Sequence, residues 1–172
     1  MNTRRSLILA ALVLVVVVLG VAPLGGAASL RSSGSPGAFS DTLRSGKTIR
    51  GVFGTMSVAT SGTQLAYAAI SFGDRLSRRP APHYIQVGKA PKRVCPGNVN
   101  NPQAAPGNLC VYEGFSTNTA YTPQLISGDG KGRREVNPSA KAATSDVGAI
   151  VELFSAAPGN FGAGGTWAVT AP

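Results

Sequence analysis

Along this chain the apolar pattern changes twice. Residues 7–19 form an almost unbroken aliphatic run, residues 29–45 carry no apolar period, and from about residue 47 short stretches alternate apolar and polar side chains. A period of two marks a half-buried strand, because successive side chains point to opposite faces of a sheet. The pattern predicts strands over 48–58, 64–72, 83–87, 109–112, 147–155 and 166–170, each rich in β-branched or aromatic residues and bounded by Gly, Pro, Asn or Ser. In 64–72, Ala66, Ala68, Ile70 and Phe72 alternate with Leu65, Tyr67, Ala69 and Ser71, so both faces read as fairly apolar and the strand is expected deep in the protein. In 147–155, Val147, Ala149, Val151 and Leu153 share one face and Glu152 falls on the other. A helix is the alternative there, but the β-branched content and the flanking Asp146 and Pro158-Gly159 favour a strand.

No stretch carries a capped helical stripe of ten or more residues, and no repeat of fixed period is visible. The expected fold is all-β. Short strands laid in one open sheet would leave a face bare, which leaves two packed sheets or a closed barrel; of these the expectation over 47–172 is a single two-sheet β-sandwich domain, with a jelly roll as one variant of it.

The first apolar run is of another kind. It follows Arg4 and Arg5, is shorter than the roughly 20 residues that cross a bilayer, and is followed by the small residues Gly26-Ala-Ala28. This is the build of a signal peptide over 1–28, with a flexible linker over 29–46 containing Ser32-Ser-Gly-Ser-Pro-Gly37. An uncleaved anchor holding the domain outside the membrane is the alternative. Thr3-Arg-Arg-Ser-Leu-Ile8 touches the twin-arginine pattern, whereas the valine run favours the general secretory route. The expected location is secreted or extracellular, with attachment to the cell surface as an option.

Export sets the redox setting. Cys95 and Cys110 are the only cysteines, and in an oxidising compartment two at this spacing most simply pair across a loop rich in Pro, Gly and Asn. A redox or metal role has little support, since CxxC spacing is absent and His83 is the sole histidine.

The motifs Ser45-Gly-Lys-Thr-Ile-Arg-Gly-Val52, Ala69-Ile-Ser-Phe72, Pro82-His-Tyr-Ile85, Cys95-Pro-Gly97, Ala105-Pro-Gly-Asn-Leu-Cys-Val-Tyr112 and Gly165-Thr-Trp-Ala-Val-Thr-Ala-Pro172 follow one another in this order. As an ordered set they resemble an uncharacterised domain of exported actinobacterial proteins, often found at the C-terminal end of a chain. The resemblance spans about 45–172 and implies an extracellular domain with a cysteine pair and a closing Trp-containing strand. It carries no activity and no binding residues. Phe72-Gly-Asp-Arg-Leu-Ser-Arg-Arg79 departs from it, since similar chains are more apolar and proline-rich there.

The chain has a formal net charge of +9 with few charged residues of either sign. Cations cluster at Arg75, Arg78 and Arg79, at Lys89, Lys92 and Arg93, and at Lys131, Arg133 and Arg134. If these loops converge they would form an anion-binding surface for cell-envelope polymers, lipid headgroups or acidic glycans; if not, they are solvated loop cations. Nucleic acid is a poor partner for an exported chain with no aromatic platform among its charges. His83 with Asp74, Asp146 or Glu152 and a serine would be the makings of a hydrolase, yet no GxSxG elbow supports it. Ser45-Gly-Lys-Thr48 lacks the first glycine and preceding buried strand of a phosphate loop, and Gly128-Asp-Gly-Lys-Gly132 has one carboxylate where calcium wants six to eight oxygens. No catalytic, cofactor or metal residue is assigned. Trp167 is expected in the core, sharing a face with Val169. The expected role is a non-catalytic binding or structural module, with the hydrolase and a self-associating tip domain packed through an apolar sheet face as alternatives.

Overall fold

The computed structural model describes residues 41–133 and 139–172; the leader and most of the linker lie outside them. Seven strands occupy the described residues: β1 (Thr48–Ala59), β2 (Leu65–Ser71), β3 (Ala81–Ile85), β4 (Asn108–Thr117), β5 (Gln124–Ile126), β6 (Gly148–Phe154) and β7 (Gly159–Thr170). They form a two-sheet sandwich, with one sheet in the order β1-β7-β4-β3 and the other in the order β2-β6-β5. A jelly roll has eight antiparallel strands; here β3 and β4 run parallel, Ala81 beside Asn108 and Ile85 beside Tyr112. Pro82 is tolerated because β3 is an edge strand, where one missing amide breaks no central ladder.

The shared core is built from the inward half of each alternation. Phe53 from β1, Ala66, Ala68 and Ile70 from β2, Leu109 and Val111 from β4, Val151 and Leu153 from β6, and Phe161, Ala163, Trp167 and Val169 from β7 pack together with Phe72 and Leu76. Strand β2 corrects the expectation of two buried faces: Ala66, Ala68 and Ile70 are buried, while Tyr67, Ala69 and Ser71 are exposed. Small apolar side chains on the second face do not recruit a covering layer along its length.

Each sheet carries a loop on its outer face. The 86–107 loop lies over the first sheet, where Ile85, Cys95, Cys110 and Tyr112 make a second buried cluster with Val94, Val99 and Ala104. Cys95 and Cys110 are joined in a disulfide. The loop is also bonded to outward hydroxyls: Thr166 donates to Val99 O at 2.8 Å, Thr170 to Ala104 O at 2.7 Å and Tyr112 to Gln103 O at 2.5 Å. Described residues after β5 lie against the second sheet: Gln124 Nε2 donates to Ala140 O at 3.1 Å and Arg133 Nη2 to the Tyr67 hydroxyl at 3.1 Å.

Four further features depart from the sequence reading, one of them β5 (Gln124–Ile126), which no predicted strand covers. Strand β7 begins at Gly159, seven residues before the predicted start, because the segment Gly159–Ala163 pairs residue by residue with β1 from Ala59 to Thr55. Strand β4 runs past Tyr112 to Thr117 through a bulge between Glu113 and Phe115. Asp41–Gly46, expected in the linker, are bonded to the sandwich: Leu43 N–H donates to Arg75 O at 2.8 Å, Gly46 N–H to Ala171 O at 3.1 Å, and Leu43 packs on the core.

Candidate functional site

The cations converge only in part. Arg79 and Lys131, from two of the predicted clusters, meet at one carboxylate: Nη2 of Arg79 lies 3.4 Å and Nζ of Lys131 3.3 Å from Oδ2 of Asp129. Arg75 is ion-paired with Asp146. Arg78 is exposed near the Gly107 turn. Lys89, Lys92 and Arg93 belong to the 86–107 loop over the first sheet, whereas Arg133 lies over the second; Arg134 is outside the described residues. The outcome is a mixed-charge edge where two acids interleave with cations, and a separate basic loop on the opposite outer face.

Asp129 sits in a tight turn. Ser127 N–H donates to Lys131 O, Gly130 N–H to Ser127 O, and Gly130 and Gly132 take φ of +80° and +89°. The Ser127 hydroxyl, the Lys131 amide and then the Lys131 ammonium hold the Asp129 carboxyl down at about 2. It therefore stays ionised and neutralises the cations around it.

The structure keeps His83 and Glu152 apart. His83 shares the outer face of the first sheet with Cys110, its register partner, and its Nε2 is hydrogen-bonded to Asn108 Oδ1 at 2.8 Å. Glu152 lies on the outer face of the second sheet, fully buried, with Oε1 4.0 Å from Nε of Arg133. The hydrophobic core separates the two. Glu152 instead joins Tyr67, its neighbour across the β2–β6 pair, and Arg133, whose Nη2 donates to the Tyr67 hydroxyl at 3.1 Å. This trio fastens the 127–133 segment to the sheet, and Tyr67 and Arg133 border a shallow cavity of about 350 Å³ lined with Ile126, Gly128, Gly130 and Ile150.

A second carboxylate, Glu113, is buried on the inner face at the other end, where Ser116 donates to its Oε1 at 2.7 Å. Tyr84 stands beside it, edge-on to Phe53 with ring centres 6.2 Å apart. Burial first, and then the charge of the neighbouring Glu113, push the Tyr84 phenol well above its usual range. The hydroxyl and Glu113 Oε2 fall short of good hydrogen-bond geometry, so the effect is chiefly desolvation beside a charge.

Ser45-Gly-Lys-Thr48 is a turn with Gly46 at φ +73° that leads into a strand, not a helix, which removes the phosphate-loop geometry. Trp167 is buried as expected, 5.9 Å from Phe72 between ring centres.

The residues that sequence reasoning missed lie on the uncovered half of the first sheet. Val52 is 77% exposed, Met56 57%, Val58 61% and Phe115 52%. Met56 and Phe115 lie over Gly162 and Gly164, where a Cβ at Gly164 would stand 2.6 Å from the Phe115 ring. These glycines make a flat floor, and the side chains on it form an apolar strip beyond the reach of the disulfide loop. The signal for it was the alternation in 48–58, whose second set, Val52, Met56 and Val58, is also apolar. No protein-family model, curated protein or solved structure matches this chain.

Proposed function

We propose that this protein is an extracellular, non-catalytic module that works by surface contact, and that its contact surface is the strip Val52, Met56, Val58 and Phe115. The observation that carries the reading is the exposure of four large apolar side chains, Val52, Met56, Val58 and Phe115, on one sheet face beyond the cover of the 86–107 loop. Contiguous apolar surface in water is costly to leave bare and marks interaction sites. The disulfide supports a non-reducing location outside the cytoplasm.

A second reading, contact with anionic envelope polymers, draws support from Arg75, Arg78 and Arg79 and from the exposed Lys89, Lys92 and Arg93. Asp129 and Asp146 weaken the field of the first group. The test is retention of the oxidised protein on purified cell envelope at low and high salt, beside a variant with Arg75, Arg78 and Arg79 changed to serine and a Met56→Lys variant. Loss of retention with Met56→Lys and insensitivity to salt support the apolar strip. Salt-sensitive retention lost only in the arginine variant would overturn it in favour of polyanion binding.

A further inference from the structure

Most of the strip, Val52, Met56 and Val58, lies along a sheet edge. Strand β1 is outermost in its sheet. The carbonyls of Lys47, Phe53 and Thr55 point inward: the first accepts from the Ala171 amide and the others lie against Gly164 and Gly162 of β7. Alternation then aims the backbone N–H and C=O groups of Arg50, Val52, Gly54, Met56 and Val58 at the free edge, the Val52 carbonyl also accepting from Nε1 of Trp167 at 3.1 Å. Edge strands are ordinarily blunted by lysine, proline or a bulge. Strand β1 contains no proline or lysine, its pairing with β7 is unbroken from Thr48 to Ala59, and its one charged side chain, Arg50, is drawn aside to Pro102 O at 2.7 Å.

Building on the reading above, we infer that the occupant of this edge is a second copy, with the two β1 strands paired antiparallel about a two-fold axis at Thr55. A two-fold contact uses the same patch twice. With the axis at Thr55, Val52 faces Val58 of the second copy and Gly54 faces Met56, so the glycine leaves room for the methionine and no like charges oppose. With the axis at Thr55 the two β1 strands overlap over Gly51–Ala59, nine residues or about 30 Å, and two sheets about 10 Å apart give an edge about 20 Å high with side chains. The footprint is about 600 Å² per copy, about 1,200 Å² in total, at the lower end of specific interfaces. The linker 29–40 is a poorer occupant, since it has no apolar alternation to set against Val52, Met56 and Val58.

The experiment combines sedimentation of the mature oxidised protein with cysteine cross-linking. At Thr55 the two strands form a non-hydrogen-bonded pair with Cα atoms about 4.5 Å apart, within disulfide reach. Thr55→Cys should yield a disulfide-linked dimer on oxidation and Ser57→Cys should not, being offset along the strands. Gly54→Pro removes an edge amide without touching the β1–β7 ladder and should weaken dimerisation about tenfold or more; Met56→Lys is the second variant, in case the proline impairs folding. Dimerisation should persist or strengthen with salt. A protein that stays monomeric at its highest soluble concentration, or cross-links equally at Ser57, overturns the pairing. If it is monomeric yet Met56→Lys still abolishes envelope retention, self-pairing falls and the contact surface stands; if retention is also unaffected, both fall.

Discussion

The indole Nε1 of Trp167 donates to the carbonyl of Val52 at 3.1 Å, passing beneath Gly51 from the core to the sheet edge. The bond satisfies a polar atom of a largely buried ring and anchors the outermost strand to its neighbour. It requires a residue without a side chain at position 51.

Gly51→Ala would set a Cβ 2.5 Å from Cζ2 of Trp167. Overpacking of this kind costs about 1–3 kcal/mol, and the denaturant midpoint, followed by the fluorescence of this single tryptophan, should fall accordingly. A midpoint equal to that of the parent would show that the ring can shift without cost.

Breaking the disulfide should remove stability and expose one particular cluster. The cysteines are 15 residues apart in sequence, and closing a loop of that length contributes about 3 kcal/mol in the chain-entropy picture. The Cys95→Ser/Cys110→Ser variant is expected to lose about that much. Hydrogen exchange should rise first at Val94 and Val99 of this loop and at Ile85 and Tyr112 beneath it, while Val151 and Phe161 stay protected. Uniform loss of protection would mean that the loop and the sandwich fold as one unit.

The protein should be sensitive to alkali through Tyr84. Its phenol is raised in the folded state, so the folded chain holds a proton that the unfolded chain releases near pH 10. The associated stability is complete below about pH 10 and declines above it. Tyr84→Phe should flatten the fall in unfolding free energy between pH 9 and 11. An unchanged slope in the variant would assign the alkaline loss to other groups.

Asp129 limits the attraction of the Arg79 and Lys131 cations for anions. Because its carboxyl is held at about 2, it stays charged at every pH above that value. Asp129→Asn should therefore raise the salt concentration needed to elute the protein from dextran sulfate at neutral pH. Elution at the parent's salt concentration would show that this edge does not meet the polymer.

The fold class, the inner faces of β2, β6 and the end of β7, and the cysteine pairing were legible in the sequence, because each depends on local alternation or on an oxidising compartment. Other features were not. The glycines of Gly159–Ala163 lower strand propensity on their own, and only pairing with β1 makes that segment a strand. Glu152 could be assigned to the second face but not to a fully buried position, since its cover comes from Arg133 and neighbouring residues distant in sequence. The basic clusters were visible, yet Asp129 and Asp146 meet them only through the packing of loops. Apolar alternation on both faces of 48–58 left open which face would remain bare. Strand order decided that, by placing β1 at an edge and ending the disulfide loop's cover at Val99 and Thr166. Local sequence sets which way each side chain points along a strand; tertiary contacts set what, if anything, lies above it.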